Sequence, residues 1–261
     1  MDSMRICFNM ICGQMAKMRA SGIACIAGAF LASTLTGCVK VDQTLILEED
    51  GSGTVDLTYG MSEESISEWQ DVARNMLDSS SADSSSPVMP FDFSDEDVRN
   101  DFKEFEHDGV TLRSLKTEAR DGWKFRRMVI DFKNLAALAK AGFLGDRDIS
   151  LMKDPQGNYV FTQQVGREGN LPPELAAFTG ISANSLFSGM MQGFKAMIRV
   201  KTPGRIIETN APEKSERQAE WMFDLDRDPE ALQKVQEASL RIVFEGKGLD
   251  IPAFRSTPAK L

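Results

Sequence analysis

Histidine and cysteine, the side chains that most often carry nucleophilic and metal chemistry, are scarce in this sequence. The chain has 261 residues, a single histidine, and four cysteines that all lie within the first 38 residues. A Ser-His-Asp or Cys-His arrangement needs a histidine beside its nucleophile, and a zinc site needs several Cys or His ligands. His107 lies in the acidic segment 104–109, where it is either a general base or a solvated turn residue. The sequence therefore predicts no metal site, no cofactor and no His-dependent catalysis.

Carboxylates offer the remaining catalytic chemistry. The segment 224–228 places Asp at alternate positions, as a calcium loop does, but Pro229 stands where that loop needs glycine and Val235 where it needs a chelating Glu. The segment 92–97 is also acidic, and it reads either as a cation site or as a charged helix start. A carboxylate-dependent hydrolase stays open as the third functional alternative, because paired carboxylates meet only in the folded chain.

Cys38 is the cysteine whose surroundings predict a chemical role. Lys17 and Arg19 precede an apolar run at 22–32, which has the order of an export signal and is too short to cross a bilayer comfortably. The run leads to Leu35-Thr36-Gly37-Cys38, which resembles the bacterial lipobox. The resemblance implies that signal peptidase II cuts between Gly37 and Cys38, and that Cys38 carries diacylglycerol and an amide-linked acyl chain such as palmitate.

Two or three acyl chains would hold the mature protein on a membrane, since each buried methylene contributes about 0.8 kcal/mol. The lipobox resemblance also implies delivery to the outer membrane, facing the periplasm, in a Gram-negative cell, because Val39 stands where an Asp would retain the protein at the inner membrane. An uncleaved anchor helix and a plain secretory signal are the alternatives. The true translation start is open among Met1, Met15 and Met18.

The net charge of the chain is -9, from 30 basic and 39 acidic residues. A protein that binds a nucleic-acid backbone needs a basic face, so no nucleic-acid partner is expected. An acidic surface also does not favour adsorption to anionic headgroups. Attachment to the membrane is therefore assigned to the lipid on Cys38.

Alternating apolar residues predict a series of β-hairpins, and residues at helical spacing predict helices between them. The fold class is α+β, with antiparallel hairpins and amphipathic helices packed on one face. The pattern slips between Phe125 and Met128, which predicts a β-bulge there. Asp228-Pro229 predicts the start of the last helix. Predicted strands run through 39–47, 55–61, 110–115, 123–132, 149–151, 159–165, 194–200, 206–207, 221–225 and 240–244.

The predicted domain organisation has three parts. Residues 1–37 are a lipoprotein signal peptide, 38–246 a single α+β domain, and 247–261 a polar C-terminal tail. Within the domain, the Ser-rich segment 78–90 is expected to be a flexible loop.

The most apolar helical segment runs from Leu171 to Phe194 and is rich in Met and Phe. Such side chains adapt to varied acyl shapes. Phe187, Met190 and Met191 are therefore the candidate ligand-contact residues, and the alternative is that the segment covers the sheet as ordinary core.

Several segments of the chain are similar to the LppM-type lipoproteins of bacteria. These are Gly37-Cys38 running directly into a strand, the hairpin turn Glu49-Asp50-Gly51-Ser52-Gly53, the segment Val200–Asn210, and Trp221 on the strand that follows. The resemblance implies an envelope-associated protein with an α+β domain likened to lipid-binding folds, and it identifies no catalytic site.

Together these observations predict a lipid-anchored, non-enzymatic protein of the cell envelope. Its partners would be the membrane, through the lipid on Cys38, and either a lipid or another apolar envelope ligand. The alternative is a structural or assembly partner of other envelope proteins.

Overall fold

The computed structural model describes residues 39–67, 94–141, 149–165 and 193–256. Alternation of apolar and polar residues is the main determinant of its strands, because successive side chains of a strand point to opposite faces of the sheet. In β1 (Val39–Leu47) and β2 (Gly53–Ser62), the odd-numbered residues face the core. These observations confirm the predicted α+β class, with hairpins and amphipathic helices.

A seven-stranded sheet, called sheet A, has the order β3-β4-β2-β1-β7-β10-β9. All of its neighbouring strands are antiparallel except β1 and β7, which are parallel at its centre. The remaining strands of sheet A are β3 (Val110–Arg120), β4 (Trp123–Phe132), β7 (Lys195–Lys201), β9 (Glu213–Lys214) and β10 (Gln218–Asp224).

A five-stranded antiparallel sheet, called sheet B, has the order β12-β5-β6-β11-β8. The buried residues of both sheets form one continuous apolar core. The chain passes between the two sheets several times, and one crossing from sheet A to sheet B is at Thr202, whose backbone N–H donates to the Arg217 carbonyl at 3.0 Å. The strands of sheet B are β5 (Ile149–Lys153), β6 (Tyr159–Gln164), β8 (Ile206–Thr209), β11 (Ser239–Phe244) and β12 (Phe254–Arg255).

Three helices lie within the described ranges, and residues 63–67 are also helical. The helix α1 (Asp95–Glu106) buries Val98 and Phe102 and packs on β3, while its other face is charged. The helix α2 (Leu135–Lys140) begins at Asn134, whose side chain accepts from the Ala137 N–H. The helix α3 (Ala231–Glu237) begins two residues after Pro229, because Asp228 instead accepts from the Glu230 N–H in a turn.

The predicted bulge between Phe125 and Met128 is wrong, because β4 keeps its alternation through these residues. The register shift lies on the neighbouring strand, between Leu112 and Ser114, where Arg113 is the extra residue. The sequence pattern slips because an inward position of β4 holds an arginine, Arg126, which is buried.

The domain also continues past residue 246, where the sequence predicted a polar tail. Strand β12 pairs with β5, and Ile251 is buried beside the Tyr159 ring. The Tyr159 hydroxyl accepts from the Ile251 N–H at 2.9 Å and donates to the Ile251 carbonyl at 3.1 Å. A two-residue strand has no periodicity to read, so the sequence pattern missed it.

Candidate functional site

The predicted site residues lie outside the described part of the chain. This applies to Gly37 and Cys38, to the candidate ligand contacts Phe187, Met190 and Met191, and to the Ser-rich segment 78–90. The described chain begins at Val39, the first residue of β1 and the residue bonded to Cys38. The functional candidates described below lie at the same end of sheet A, on its inner face, and on the inner face of sheet B.

An aromatic cluster covers the outer face of sheet A at the end where β1 begins. We call it the aromatic end, and it comprises Lys40, Gly60, Arg120, Trp123 and Phe125. The Trp123 and Phe125 rings stack with their centroids 5.7 Å apart. The Lys40 ammonium lies 3.7 Å from the Trp123 ring centroid, and the Arg120 guanidinium carbon lies 4.9 Å from that of Phe125. Both cations are therefore within the range of cation–π attraction.

Gly60 makes the aromatic end possible. It pairs with Phe125 on β4 and with Lys40 on β1. A Cβ atom at position 60 would overlap the Phe125 ring. The missing side chain therefore lets the Phe125 ring of β4 lie against the backbone of β2.

Arg126 lies on the inner face of the same sheet and is only 2% exposed. Its Nε donates to the Thr117 hydroxyl at 2.9 Å, and its Nη2 lies 3.3 Å from a carboxylate oxygen of Asp95. The Thr117 hydroxyl donates to the same Asp95 oxygen at 2.7 Å, and the Tyr59 hydroxyl accepts from Nη1 at 3.4 Å. The guanidinium is thus held by partners on three elements, as a buried charge must be.

The start of α1 positions Asp95 over Arg126. Ser94 and Asp97 form a capping box, in which the Ser94 hydroxyl accepts from the Asp97 N–H at 3.1 Å. The Asp97 carboxylate accepts from the hydroxyl and the N–H of Ser94, and these hydrogen bonds lower the pKa of Asp97. The acidic segment 92–97 therefore acts, in its described residues, as a helix start that fixes one partner of Arg126.

Gln163 is also a buried polar side chain, but unlike Arg126 it has apolar neighbours. It lies on the inner face of β6, is 1% exposed, and is flanked by the buried residues Ile149 and Leu240. Within the described part of the chain, its Oε1 is the one buried side-chain nitrogen or oxygen without a hydrogen-bond partner. Such an atom normally costs about 1–3 kcal/mol of stability. Gln163 is therefore poised to accept a hydrogen bond in an apolar interior.

The carboxylates singled out as alternatives are used in local structure. Asp228 accepts from Lys234 Nζ at 2.7 Å, and this contact together with the Glu230 N–H lowers the pKa of Asp228. Asp224 lies 3.4 Å from Lys195 Nζ. Across the described ranges, no group of three or more His, Cys, Asp or Glu is arranged to hold a metal ion.

His107 is a surface residue at the end of α1. Its side chain is 74% exposed, and its Nε2 lies 3.4 Å from a carboxylate oxygen of Asp108. The pKa of Asp108 is lowered chiefly by its hydrogen bond from Lys140, with smaller contributions from burial, in the opposite sense, and from His107. This geometry is that of a solvated turn.

Sequence reasoning missed Arg126 and Gln163, although a signal for each was present. Arg126 is the residue at which the alternation of β4 slips, and Gln163 occupies an apolar position in the series Tyr159, Phe161, Gln163 and Val165. A polar residue at an inward position of a strand is the pattern that could have identified both.

Comparisons with known proteins found similarity among solved structures, but not among family models or curated proteins. No family model matches it, and no curated protein matches it. Among solved structures, it is similar to the NMR structure of the folded domain of LppM from Mycobacterium tuberculosis, with 10% identity and a TM-score of 0.42. The match covers 85% of this chain and 97% of that domain. Identity and TM-score at this level assign no activity, ligand or site.

Proposed function

We propose that this protein is a lipid-anchored, non-enzymatic protein of the cell envelope, whose domain binds a lipid or another apolar envelope ligand. The observation that supports the anchor is the lipobox-like sequence Leu35-Thr36-Gly37-Cys38, which ends one residue before β1. No helix in the described ranges is both long and apolar enough to cross a bilayer. The acyl chains on Cys38 would hold the protein on the outer membrane, facing the periplasm, in a Gram-negative cell.

Replacement of Cys38 tests the anchor. Cys38→Ala removes the sulfur that accepts diacylglycerol, so we expect an unprocessed precursor without lipid. Membrane fractionation and mass analysis of the mature N-terminus measure this directly. A variant that is still cut before residue 38 and stays on the membrane would contradict the lipoprotein assignment.

The observation that supports ligand binding is Gln163. Ligand sites are mostly apolar with a few placed polar groups, and the unpartnered Oε1 of Gln163 meets that description. The segment that contains Phe187, Met190 and Met191 connects Val165 beside sheet B to Phe194 beside sheet A, and both of these flanking residues are buried. Val165, the last described residue before this segment, lies two residues after Gln163 on the same strand end.

A fluorescent fatty-acyl probe tests this proposal on the full chain. We expect the wild type to bind the probe, and we expect weaker binding when two of Phe187, Met190 and Met191 are replaced by Ala. Gln163→Leu should also weaken binding to probes that carry a hydrogen-bond donor. Gln164→Leu, on the neighbouring residue that faces away from the core, is the matched control.

Melting curves separate a binding site from ordinary core. In solid core, replacing such residues with Ala costs about 2–5 kcal/mol each. A parent protein that binds no probe, together with strongly destabilised variants, would contradict ligand binding.

One observation favours the alternative of an assembly partner. Met152, Val160 and Val243 pair in a row across the outer face of sheet B, where Val243 is buried. On β8 the partner of Val243 is Glu208, and Ile207 lies next to it at the register shift. Met152 and Ile207 are 39% and 46% exposed. Apolar rows on an outer face are typical of protein contacts. Photo-cross-linking in cells from position 207, with Ser150 as the control position on the same face, would show a defined adduct if this face contacts another envelope protein.

A further inference from the structure

We propose that the aromatic end of sheet A rests in the phospholipid headgroup layer of the membrane to which the protein is attached. This inference depends on the proposed lipid anchor at Cys38, and it adds the surface by which the folded domain contacts the bilayer. It is carried by the short distance between the anchor and the sheet, by the position of Trp123, and by the difference between the two ends of the sheet.

The distance from anchor to sheet is fixed by covalent geometry. Val39 is already in β1, and neighbouring Cα atoms are about 3.8 Å apart. No linker therefore separates the lipid-bearing residue from the folded domain. A headgroup layer is about 5–8 Å thick, the difference between the total and hydrocarbon thickness of a leaflet. A strand rises about 3.3 Å per residue, so the first two or three residues of the sheet lie at that depth.

Strand pairing places the aromatic end at this level. Val39 pairs with Met61 and Lys40 with Gly60, so the end of β2 lies beside the start of β1. Trp123 pairs with Ser62, one residue further toward the same end, and Arg120 pairs with Trp123. The hairpin that joins β3 to β4 therefore projects where the chain arrives from Cys38.

The chemistry of these side chains matches a membrane interface. Tryptophan is enriched at the headgroup level because its ring is apolar and its indole N–H is polar. Lys40 and Arg120 are exposed, and their long side chains can lie along the rings and present their charges to phosphate oxygens.

Acidic groups at this end keep it from being strongly basic. Glu118 contacts Lys116 at 2.6 Å and Arg120 at 3.8 Å, and Asp121 and Glu63 are exposed nearby. We therefore assign the contact to zwitterionic as well as anionic headgroups, with the rings as the main determinant.

The opposite end of β1 and β2 has different chemistry. Its turn consists of Glu48, Glu49 and Asp50 followed by Gly51 and Ser52, and the three acidic residues are exposed. Hydrogen bonds from the side chain and backbone of Ser52 lower the pKa of Asp50, so this carboxylate is charged at neutral pH. The cation–ring contacts described for these strands, Lys40 on Trp123 and Arg120 on Phe125, lie at the end beside Cys38.

Quenching of tryptophan fluorescence by brominated phospholipid tests the proposal. The acylated mature protein is reconstituted into phosphatidylethanolamine–phosphatidylglycerol vesicles that contain lipid brominated near the headgroup or near the chain ends. In a Trp69→Phe background the remaining residues are Trp123 and Trp221, and Trp221 is buried in the core. We expect strong quenching by the shallow bromines and weak quenching by the deep ones.

A second variant, Trp69→Phe with Trp123→Phe, identifies the residue. We expect it to lose the quenched component while staying on the vesicles through its lipid. An acylated, vesicle-bound protein whose Trp123 is not quenched by lipid but is quenched by aqueous iodide would overturn this inference and leave the anchor proposal intact. A mature protein without lipid on Cys38 would overturn both.

Discussion

Arg126 in sheet A and Gln163 in sheet B are both polar, almost fully buried and placed on the inner face of a sheet, yet their surroundings differ. Arg126 is held by Asp95, Thr117 and Tyr59, whereas Oε1 of Gln163 has no partner in the described part of the chain. A charge cannot be buried without compensation, so its partners are part of the fold. A single uncompensated amide oxygen is tolerable and leaves a hydrogen bond available. The difference separates a structural polar group from a candidate binding group.

The largest effect is expected when Arg126 loses its carboxylate. Asp95→Ala removes a carboxylate that contacts a buried guanidinium, and breaking such a pair costs about 3–5 kcal/mol when both groups are fully buried. Asp95 is 42% exposed, so we expect the free energy of unfolding, measured by denaturant unfolding, to fall by about 2–3 kcal/mol. Glu96→Ala is the matched control, since it removes a neighbouring exposed charge and should cost less than about 1 kcal/mol. Equal effects of the two substitutions would contradict the structural role of the Arg126 cluster.

A smaller effect of opposite sign is expected at Gln163. Gln163→Leu keeps the volume and removes the unpartnered oxygen, so we expect stability to rise by about 1–2 kcal/mol. Differential scanning calorimetry of Gln163→Leu and of the outward-facing control Gln164→Leu measures this. If Gln163→Leu lowered the melting temperature, Gln163 would be a partnered group like Arg126, and the contrast between the two sheets would disappear.

The smallest expected effect is a pH dependence of the stability of α1, the helix that positions Asp95 beside Arg126. The folded-state pKa of Asp97 is below its ordinary value of 3.8 because of the hydrogen bonds from Ser94. Its contribution to stability is therefore fully present above pH 3.8 and is lost as the pH falls through the lowered pKa. We expect the amide protons of α1 to exchange faster at such pH values, and this pH dependence to be absent in Asp97→Asn.

Strand β6 provides the internal comparison for that experiment. It contains no Asp, Glu or His, so its amide protons should not share the change at low pH. Simultaneous acceleration of exchange in α1 and β6 would indicate global unfolding and would contradict the local role of the Ser94–Asp97 cap.

The sequence predicted the parts of this fold that depend on local patterns. The hairpins that include β1, β2, β5 and β6 follow from alternation and from turn residues such as Asp50-Gly51. Arg126 breaks the pattern because it is a polar residue at an inward position, where alternation predicts an apolar one. The compensation for its burial comes from Asp95 and Tyr59, which are distant in sequence.

Pairing between distant strands could not be predicted in the same way. Nothing in the sequence around β1 indicates that it pairs in parallel with β7, since both read as ordinary half-buried strands. The strand β9 carries two exposed charged residues and has no apolar alternation at all. The candidate site could not be predicted either, because the aromatic end is assembled from residues on β1, β2, β3 and β4.

The parallel contact of β1 with β7 has a consequence for the order in which the chain assembles. Residues 40–46 pair with 195–201. The edge of β1 that does not pair with β2 therefore stays unpaired until most of the chain is available. Contacts between such distant segments carry a large loop-closure entropy and form slowly. During that interval the unpaired edge of β1 is a template on which a second copy could pair. Chaperone protection of the newly made chain is therefore most valuable before residue 201 is available for pairing.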